Sequence, residues 1–504
     1  MPFEFWTEIL PLYTVLGVRH SGTDRGTMRE SELVLQENDR PGTRDWLLTR
    51  TCVDPDAEGR CPWIEGYCSR SSVQAGETIS FHVSTNPPSR FTIELFRMGY
   101  YGGYGGRRVA VIGGLQGQAQ PDPPIGPRRL RECNWPASAE VQIPDSWLSG
   151  VYLGKLTAHR SGIQSYLIFI VRDQRTADYI FQCSDLTWQA YNRWPKQFSL
   201  YDDGQKAWYF GPDIDVSFDR PYSKYCQIVD APLSLGSGEW FLWEFPLDHW
   251  LQSKGYDVTY VSGIDTYSGR ASLGRAKGLL SVGHDEYYTM AQFTRLKKAI
   301  AEGLGVAFLS ANTCHGLTGL SPASDGRVDR IMTRLDVFGP RQPLLEQRFP
   351  EIRRFPWRSP DEGTLVGARS VAPVVGRGNW TCVRPDHWIF AGTGMNQGDS
   401  IPGMVGWEFQ GDPAMLPGLS IVASGRTHHP RGDSIYTATV YEGPHENIVF
   451  NAATCWWADG VSEPPGYVRP TGYTSLSGPD SRVQRVTENV LARLCGGSAA
   501  RHAG

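Results

Sequence analysis

Close to residue 173 the hydrophobic rhythm of this chain changes, and that change restricts the folds open to it more than any other feature. Upstream, from about Cys61 to Asp173, apolar residues alternate with polar ones in short segments bounded by Gly, Pro or Asn. Ile79, Phe81 and Val83 form one such segment, and Phe91, Ile93 and Leu95 the next. A period of two marks strands with one buried face. Val151, Leu153 and Leu156, which follow Trp147, and the run Tyr166 to Val171 complete the set. The spacing predicts about seven strands in roughly a hundred residues, the dimensions of an immunoglobulin-like β-sandwich over residues 61–173.

Downstream the pattern alternates between short apolar runs and helical periodicity. Tyr179 to Gln182 reads as a strand leading into Ser184-Asp185, a helix cap. Phe241, Leu242, Phe245, Trp250 and Leu251 recur at helical spacing between Glu239 and Lys254, Gly255 stops the helix, and Val258 to Val261 is the next strand. Leu279 to Val282, a helix from Thr289 to Glu302, and Gly305 to Leu309 repeat the unit. Apolar runs without alternation suit strands covered on both faces, so residues 174–504 are expected to form an α/β domain around a parallel sheet. Strand-like Thr437 to Tyr441 and Ile448 to Asn451, with a last helix around Arg482 to Leu494, would close that domain. Residues 1–60 read as an N-terminal arm: an amphipathic stretch from Trp6 to Leu16, then a polar run from Arg19 to Arg50.

A chain of 504 residues exceeds what one core serves, so a multidomain protein is expected. The formal charge of -4 and the absence of clustered Lys and Arg exclude a polyanion-binding field and argue against a nucleic-acid partner. The opening Met1-Pro2-Phe3-Glu4-Phe5-Trp6 lacks the cationic region of a signal peptide, and no apolar stretch is long enough for a bilayer. A cytoplasmic enzyme with no membrane partner is the expectation. The 10 cysteines are scattered, which suits reduced thiols; Cys52, Cys61 and Cys68 lack the C-x-x-C or C-x-x-H pairing of a zinc site. The glycine-rich run Met98 to Gly106 reads as a loop, because no P-loop lysine follows it.

His284-Asp285-Glu286 follows Leu279 to Gly283 directly, at the carboxyl end of an expected buried strand, where reacting groups collect in open α/β sheets. Three other neighbourhoods hold polar groups near strand ends: Asp185 to Asn192, Ser217 to Tyr222, and Val405 to Gln410. Phenolate and carboxylate oxygens are hard donors that suit a hard cation such as ferric iron. A free tyrosine, with a pKa of about 10, ligates near neutral pH only when a cation stabilises its phenolate. A cation with open positions polarises a carbonyl and acidifies water, and hydrolysis of a stable bond is the natural use. Each residue also has a plainer reading. Tyr191 and Tyr222 suit hydrogen-bonded aromatics, Glu286 a partner for a helix dipole, His284 a satisfied strand-end histidine, and Glu408 a salt bridge. His428-His429 invites a metal reading, but adjacent strand side chains point to opposite faces. A rival site is Asn312-Thr313-Cys314-His315-Gly316, which resembles a nucleophile elbow with Cys314 as the nucleophile.

Several longer strings carry a family resemblance. Glu65-Gly66-Tyr67 with Gly76-Glu77-Thr78, Phe96 to Gly103, Trp147 to Leu153, Trp188 to Asn192, Phe218 to Tyr222 and Gly283 to Tyr288 resemble the large, catalytic subunit of N,N-dimethylformamidase, over about residue 60 to the end. The resemblance implies an immunoglobulin-like domain followed by a class I glutamine-amidotransferase-like, flavodoxin-like α/β domain. It also implies a mononuclear Fe3+ held by two tyrosines and one glutamate. Carried onto this sequence, the family's H-x-E motif falls on His284 and Glu286, making Glu286 a metal ligand and His284 a proton-handling group. The tyrosine ligands fall on Tyr191 and Tyr222, with Tyr201 and Tyr225 close by, and the second catalytic glutamate falls on Glu408. The implied reaction is hydrolysis of a small N-alkyl amide such as N,N-dimethylformamide to an amine and a carboxylate. A small helical subunit and a homo-oligomer are the implied partners. The family's large subunit carries a further lectin-like domain on its N-terminal side, for which 60 residues are too few. The alternatives are a metal-free amidase using Cys314 and a non-catalytic protein that binds carbohydrate or a partner.

Overall fold

The alternating segments between Glu65 and Val171 form two sheets packed face to face. The computed structural model describes residues 32–496 except 207, 226, 228–233, 357, 358 and 473, so the amphipathic stretch Trp6 to Leu16 lies outside the described residues. One sheet orders Glu65–Cys68, Thr78–Ser84 and Ala139–Gln142; the other orders Ser72–Val73, Gln164–Val171, Gly150–Ala158, Ser89–Met98 and Gly106–Gly117. Their inner faces share one apolar core, in which Ile79, Phe81 and Val83 meet Phe91, Ile93, Leu95 and Phe169. The alternation read from sequence is the alternation of these inward positions.

Beyond residue 173 a seven-stranded sheet runs in the order Val258–Ser262, Ala177–Cys183, Ala276–His284, Gly305–Ala311, Ile448–Asn451, Ser434–Glu442, Ser420–Thr427. The first five strands are parallel to their neighbours, and the last two pair antiparallel. Both faces are covered. Leu279, Val306 and Phe308 pack with Phe293 and Leu296 of the helix Met290–Ala301, while Leu280, Ala307 and Leu309 share a core with Val486 and Val490 of the helix Ser481–Leu494. Thr289 and Gln292 close a capping box at the start of Met290–Ala301. Chain after Val337 closes this sheet with antiparallel edge strands and adds a long hairpin, Ala368–Thr381 with Ser400–Pro413. Among the described residues, five sheets and few long helices make the fold β-rich.

The described part of the polar run, residues 32–50, is built into the fold. Asn38, at the end of the helix Leu33–Asn38, uses its whole amide. Nδ2 donates to the Val34 carbonyl and to Gln252, and Oδ1 accepts from the Tyr100 and Tyr101 N–H groups. The glycine-rich loop therefore spends these backbone donors on Asn38. Trp46 is 1% exposed and stacks on Phe241 at 5.6 Å. Beside Asn38, Glu37 accepts from Tyr101 Oη at 2.7 Å and from Arg107 at 2.6 Å. Burial raises the Glu37 carboxyl, but the charges of Arg97 and Arg107 outweigh it and hold the group below its usual value of 4.5. A depressed carboxylate stabilises the fold above its unfolded pKa, and that contribution fades as pH falls through the folded value. Melting temperatures should therefore drop more steeply below about pH 4 in the wild type than in Glu37→Gln. Parallel pH profiles would show that Glu37 contributes nothing.

Candidate metal and catalytic site

His284 ends the strand Ala276–His284 just after a bend at Gly283. That glycine has a φ of 70°, and a Cβ there would lie 2.3 Å from Trp243 Cβ. Glycine alone meets both constraints. Tyr191 is the last residue of the helix Asp185–Tyr191, which follows the neighbouring strand Ala177–Cys183. Glu408 comes from the long hairpin, opposite Val375, and its neighbour Trp407 holds a φ of 58°. Asn312 and Cys314, just beyond Gly305–Ala311, have φ values of 49° and 58°. Non-glycine residues in this region store strain, and strain of this kind gathers at functional sites.

These elements bring oxygen donors to one point. Tyr191 Oη lies 2.5 Å from Glu286 Oε2 and 2.6 Å from Tyr201 Oη. Tyr201 Oη lies 3.1 and 3.3 Å from the two Glu286 oxygens. On the other side, His284 Nε2 is 2.5 Å from Glu408 Oε2 and 3.6 Å from Glu286 Oε2, and Asn312 Nδ2 donates to that same Glu408 oxygen at 3.0 Å. All six residues are buried. Single ligand atoms of His284, Glu286 and Glu408 lie within 4.8 Å of one another, so this buried group could hold a metal ion.

Charge is concentrated here. Burial pushes the Glu286 carboxyl up and the charge of Glu408 adds to it, while His284 pulls it back. Burial alone would lower His284, but the charge and hydrogen bond of Glu408, helped by Glu286, raise it to about 9. Burial and the Glu286 charge hold the Tyr191 and Tyr201 phenols well above their usual range. At Tyr201 the opposing charge is Arg334. Its guanidinium lies 4.5 Å from the Tyr201 ring centroid and donates at 2.5 Å to Tyr287 Oη, which in turn donates to Tyr201 Oη at 2.7 Å.

A cavity of about 90 Å³ opens onto this cluster. Trp208, Phe210, Phe349 and Val375 give it apolar walls; His315, stacked on Phe210 at 6.1 Å, and Arg348 add polar groups. Burial pulls His315 down to about 4, so its ring is neutral near pH 7.

The expected residues separate. His284, Glu286, Tyr191 and Glu408 converge; Tyr222 does not join them. It lines a different cavity with Asp185, Trp188 and Arg330, its ring 6.4 Å from Trp188. The loop from Phe218 to Tyr222 is pinned there by Arg220, whose guanidinium donates to the Asn192, Trp194 and Phe198 carbonyls. Tyr201, not Tyr222, lies beside Tyr191 and Glu286. Tyr225 is half-buried beside Lys224. The Cys314 thiol lies in the apolar cluster of Tyr288, Phe293 and Phe338, and burial pushes it well above the range of a reactive thiolate. His428 is turned outward, 3.1 Å from Asp433. The nine described cysteines are free.

Arg334, and the contacts of Tyr287 and Asn312 within the stretches 283–288 and 312–316, are not directly legible in the sequence. One signal was available for Arg334. In Ile331–Val337, Met332 and Arg334 are buried while Leu335 is 47% exposed, an inverted pattern that places a charge where an apolar residue is normal.

The family model described as N,N-dimethylformamidase beta subunit-like, C-terminal, matches residues 92–469. No curated protein matches this chain. Among solved structures, one similar chain is Pseudomonas fluorescens alkylpurine DNA glycosylase AlkC bound to DNA containing an abasic site analog. It is 14% identical, covers 22% of this chain and 31% of that chain, and has a TM-score of 0.15, a likeness too slight to carry an argument. Among the described residues no helix is long and apolar enough to cross a membrane.

Proposed function

This chain belongs to the N,N-dimethylformamidase beta subunit-like family, and we propose that it is an iron-dependent amidohydrolase. Its substrate would be a small amide such as N,N-dimethylformamide. Water adds to the acyl carbon, the C–N bond breaks, and an amine and a carboxylic acid leave. The observation that carries this reading is the meeting of two phenols and one carboxylate, 2.5 to 3.3 Å apart, beside a histidine–glutamate pair.

That donor set fits a hard trivalent ion: three oxygens, two of them phenols that ionise when a cation replaces their protons. Tyr191, Tyr201 and Glu286 would hold it. Ferric iron bound there would supply Lewis acidity at the floor of the cavity. Arg334, acting through Tyr287, orients the Tyr201 hydroxyl toward Glu286. His284 Nε2 and Glu408 Oε2 lie 2.5 Å apart, and Asn312 donates to that glutamate oxygen. This pair takes a proton from water and delivers one to the nitrogen, because an amine leaves poorly until it is protonated. Trp208, Phe210 and Phe349 exclude water around a small amide.

A second arrangement has one observation in its favour, the 4.8 Å cluster of His284, Glu286 and Glu408 as the ligand set. Glu286 is common to both. The function is tested by chelating the purified protein and reloading it. Amine release from N,N-dimethylformamide should vanish with the metal and return with iron; activity indifferent to chelation would end the iron reading.

The rest of the proposal concerns architecture. We read the eight-stranded sandwich at 61–173 as immunoglobulin-like, because two sheets, antiparallel except where Ser72–Val73 joins Gln164–Val171, share one core there, and residues 174–504 as a glutamine-amidotransferase-like domain, because its parallel strands carry helices on both faces. A cytoplasmic location, supported by the free thiols, a small helical subunit and a homo-oligomer belong to the same proposal.

A further inference from the structure

The rim of the catalytic cavity carries positive charge without an internal partner. Arg348, the last residue of the helix Pro343–Arg348, is the only arginine or lysine among the residues lining this cavity. Its guanidinium lies 4.9 Å from the Phe349 ring centroid. Among the described residues, neither Arg348 nor Arg431 makes an ion pair, and nearby acids are engaged elsewhere. Glu346 pairs with Arg353 at 3.2 Å, and Asp433 with His428 at 3.1 Å and Arg426 at 3.6 Å. Burial and the like charge of Arg431 pull Arg348 below its usual range, with Glu408 opposing; burial and both arginines lower His429. Arg348 thus places a guanidinium at an aromatic-walled cavity, and the charge of Arg431, from a separate segment, acts on it. A planar guanidinium in such a place matches a carboxylate through paired hydrogen bonds.

We propose that Arg348 forms a carboxylate clamp at the cavity mouth, and that the substrate is a small amide carrying a carboxylate elsewhere in the same molecule. This inference rests on the hydrolase reading above and narrows it. The amide sits over Glu286 and Glu408, and the anionic end reaches outward to Arg348, away from the two glutamates that would repel it.

Two matched pairs test the idea on the iron-loaded full chain: N-formylglycine against N-ethylformamide, with the carboxylate on the amine side, and succinamate against butanamide, with it on the acyl side. In at least one pair the charged member should be favoured in kcat/KM by about tenfold or more, mostly through KM, and the preference should weaken at high salt. Arg348→Gln should erase that preference, and Arg348→Lys should keep part of it. Inhibition should follow the same order: succinate should inhibit the wild type more strongly than Arg348→Gln. A wild type that prefers the uncharged member of both pairs, or an Arg348→Gln enzyme that keeps the preference, overturns the clamp. If neither these amides nor N,N-dimethylformamide is hydrolysed, the hydrolase reading itself falls.

Discussion

Glu286→Gln is expected to leave a folded protein that no longer retains iron. Glu286 is the carboxylate toward which Tyr191 and Tyr201 both turn, at 2.5 and 3.1 Å, and its neutral amide analogue removes the anion while keeping the shape. Loss of an outer partner of a metal ligand already costs about 10- to 100-fold in affinity, so loss of a charged ligand should exceed roughly 100-fold. Metal content after dialysis against a competing chelator measures this, and the melting temperature shows whether the fold survives. A folded variant with full iron would remove Glu286 from the ligand set, and with it the element common to both donor arrangements.

Glu408→Gln should behave in the opposite way: iron kept, turnover lost. Its Oε2 lies 2.5 Å from His284 Nε2 and accepts from Asn312 at 3.0 Å, which makes it the acid–base partner of the imidazole in this proposal. Removing one member of an acid–base pair typically lowers kcat by about 10²- to 10⁴-fold. KM should move far less, because the side chain is proposed to act on protons more than on substrate affinity. Should the variant lose its iron together with its activity, Glu408 is a ligand and the 4.8 Å cluster is the true coordination set.

The parts of this account that were legible in the sequence are those with local causes. Leu279 to Val282 reads as a strand because both its faces are apolar, and it lies within Ala276–His284. His284 and Glu286 follow at the carboxyl edge, where the fold class places chemistry. The hairpin Ala368–Thr381 with Ser400–Pro413 was not legible. Gly376, Gly378, Pro402, Gly403 and Gly406 interrupt it, its register shifts, and burial along Ser400–Pro413 lacks a clean period of two. The separation of Tyr222 from Glu286 was not legible for a different reason. Tyr201 and Tyr222 are both aromatic residues in irregular segments, and spacing along the chain does not distinguish them. What separates them is contact with distant residues: Arg334 and Tyr287 hold Tyr201 at Glu286, whereas Arg220 pins the loop of Tyr222 elsewhere.

The most direct measurement is the visible absorption spectrum, with iron content, of the purified wild type alongside Tyr201→Phe and Tyr222→Phe. If two phenolates hold a ferric ion at Glu286, the wild type is coloured by phenolate-to-iron charge transfer, Tyr201→Phe shifts or loses that band, and Tyr222→Phe keeps it. A colourless, iron-free wild type, or a band that Tyr222→Phe abolishes and Tyr201→Phe leaves intact, would contradict the site described above.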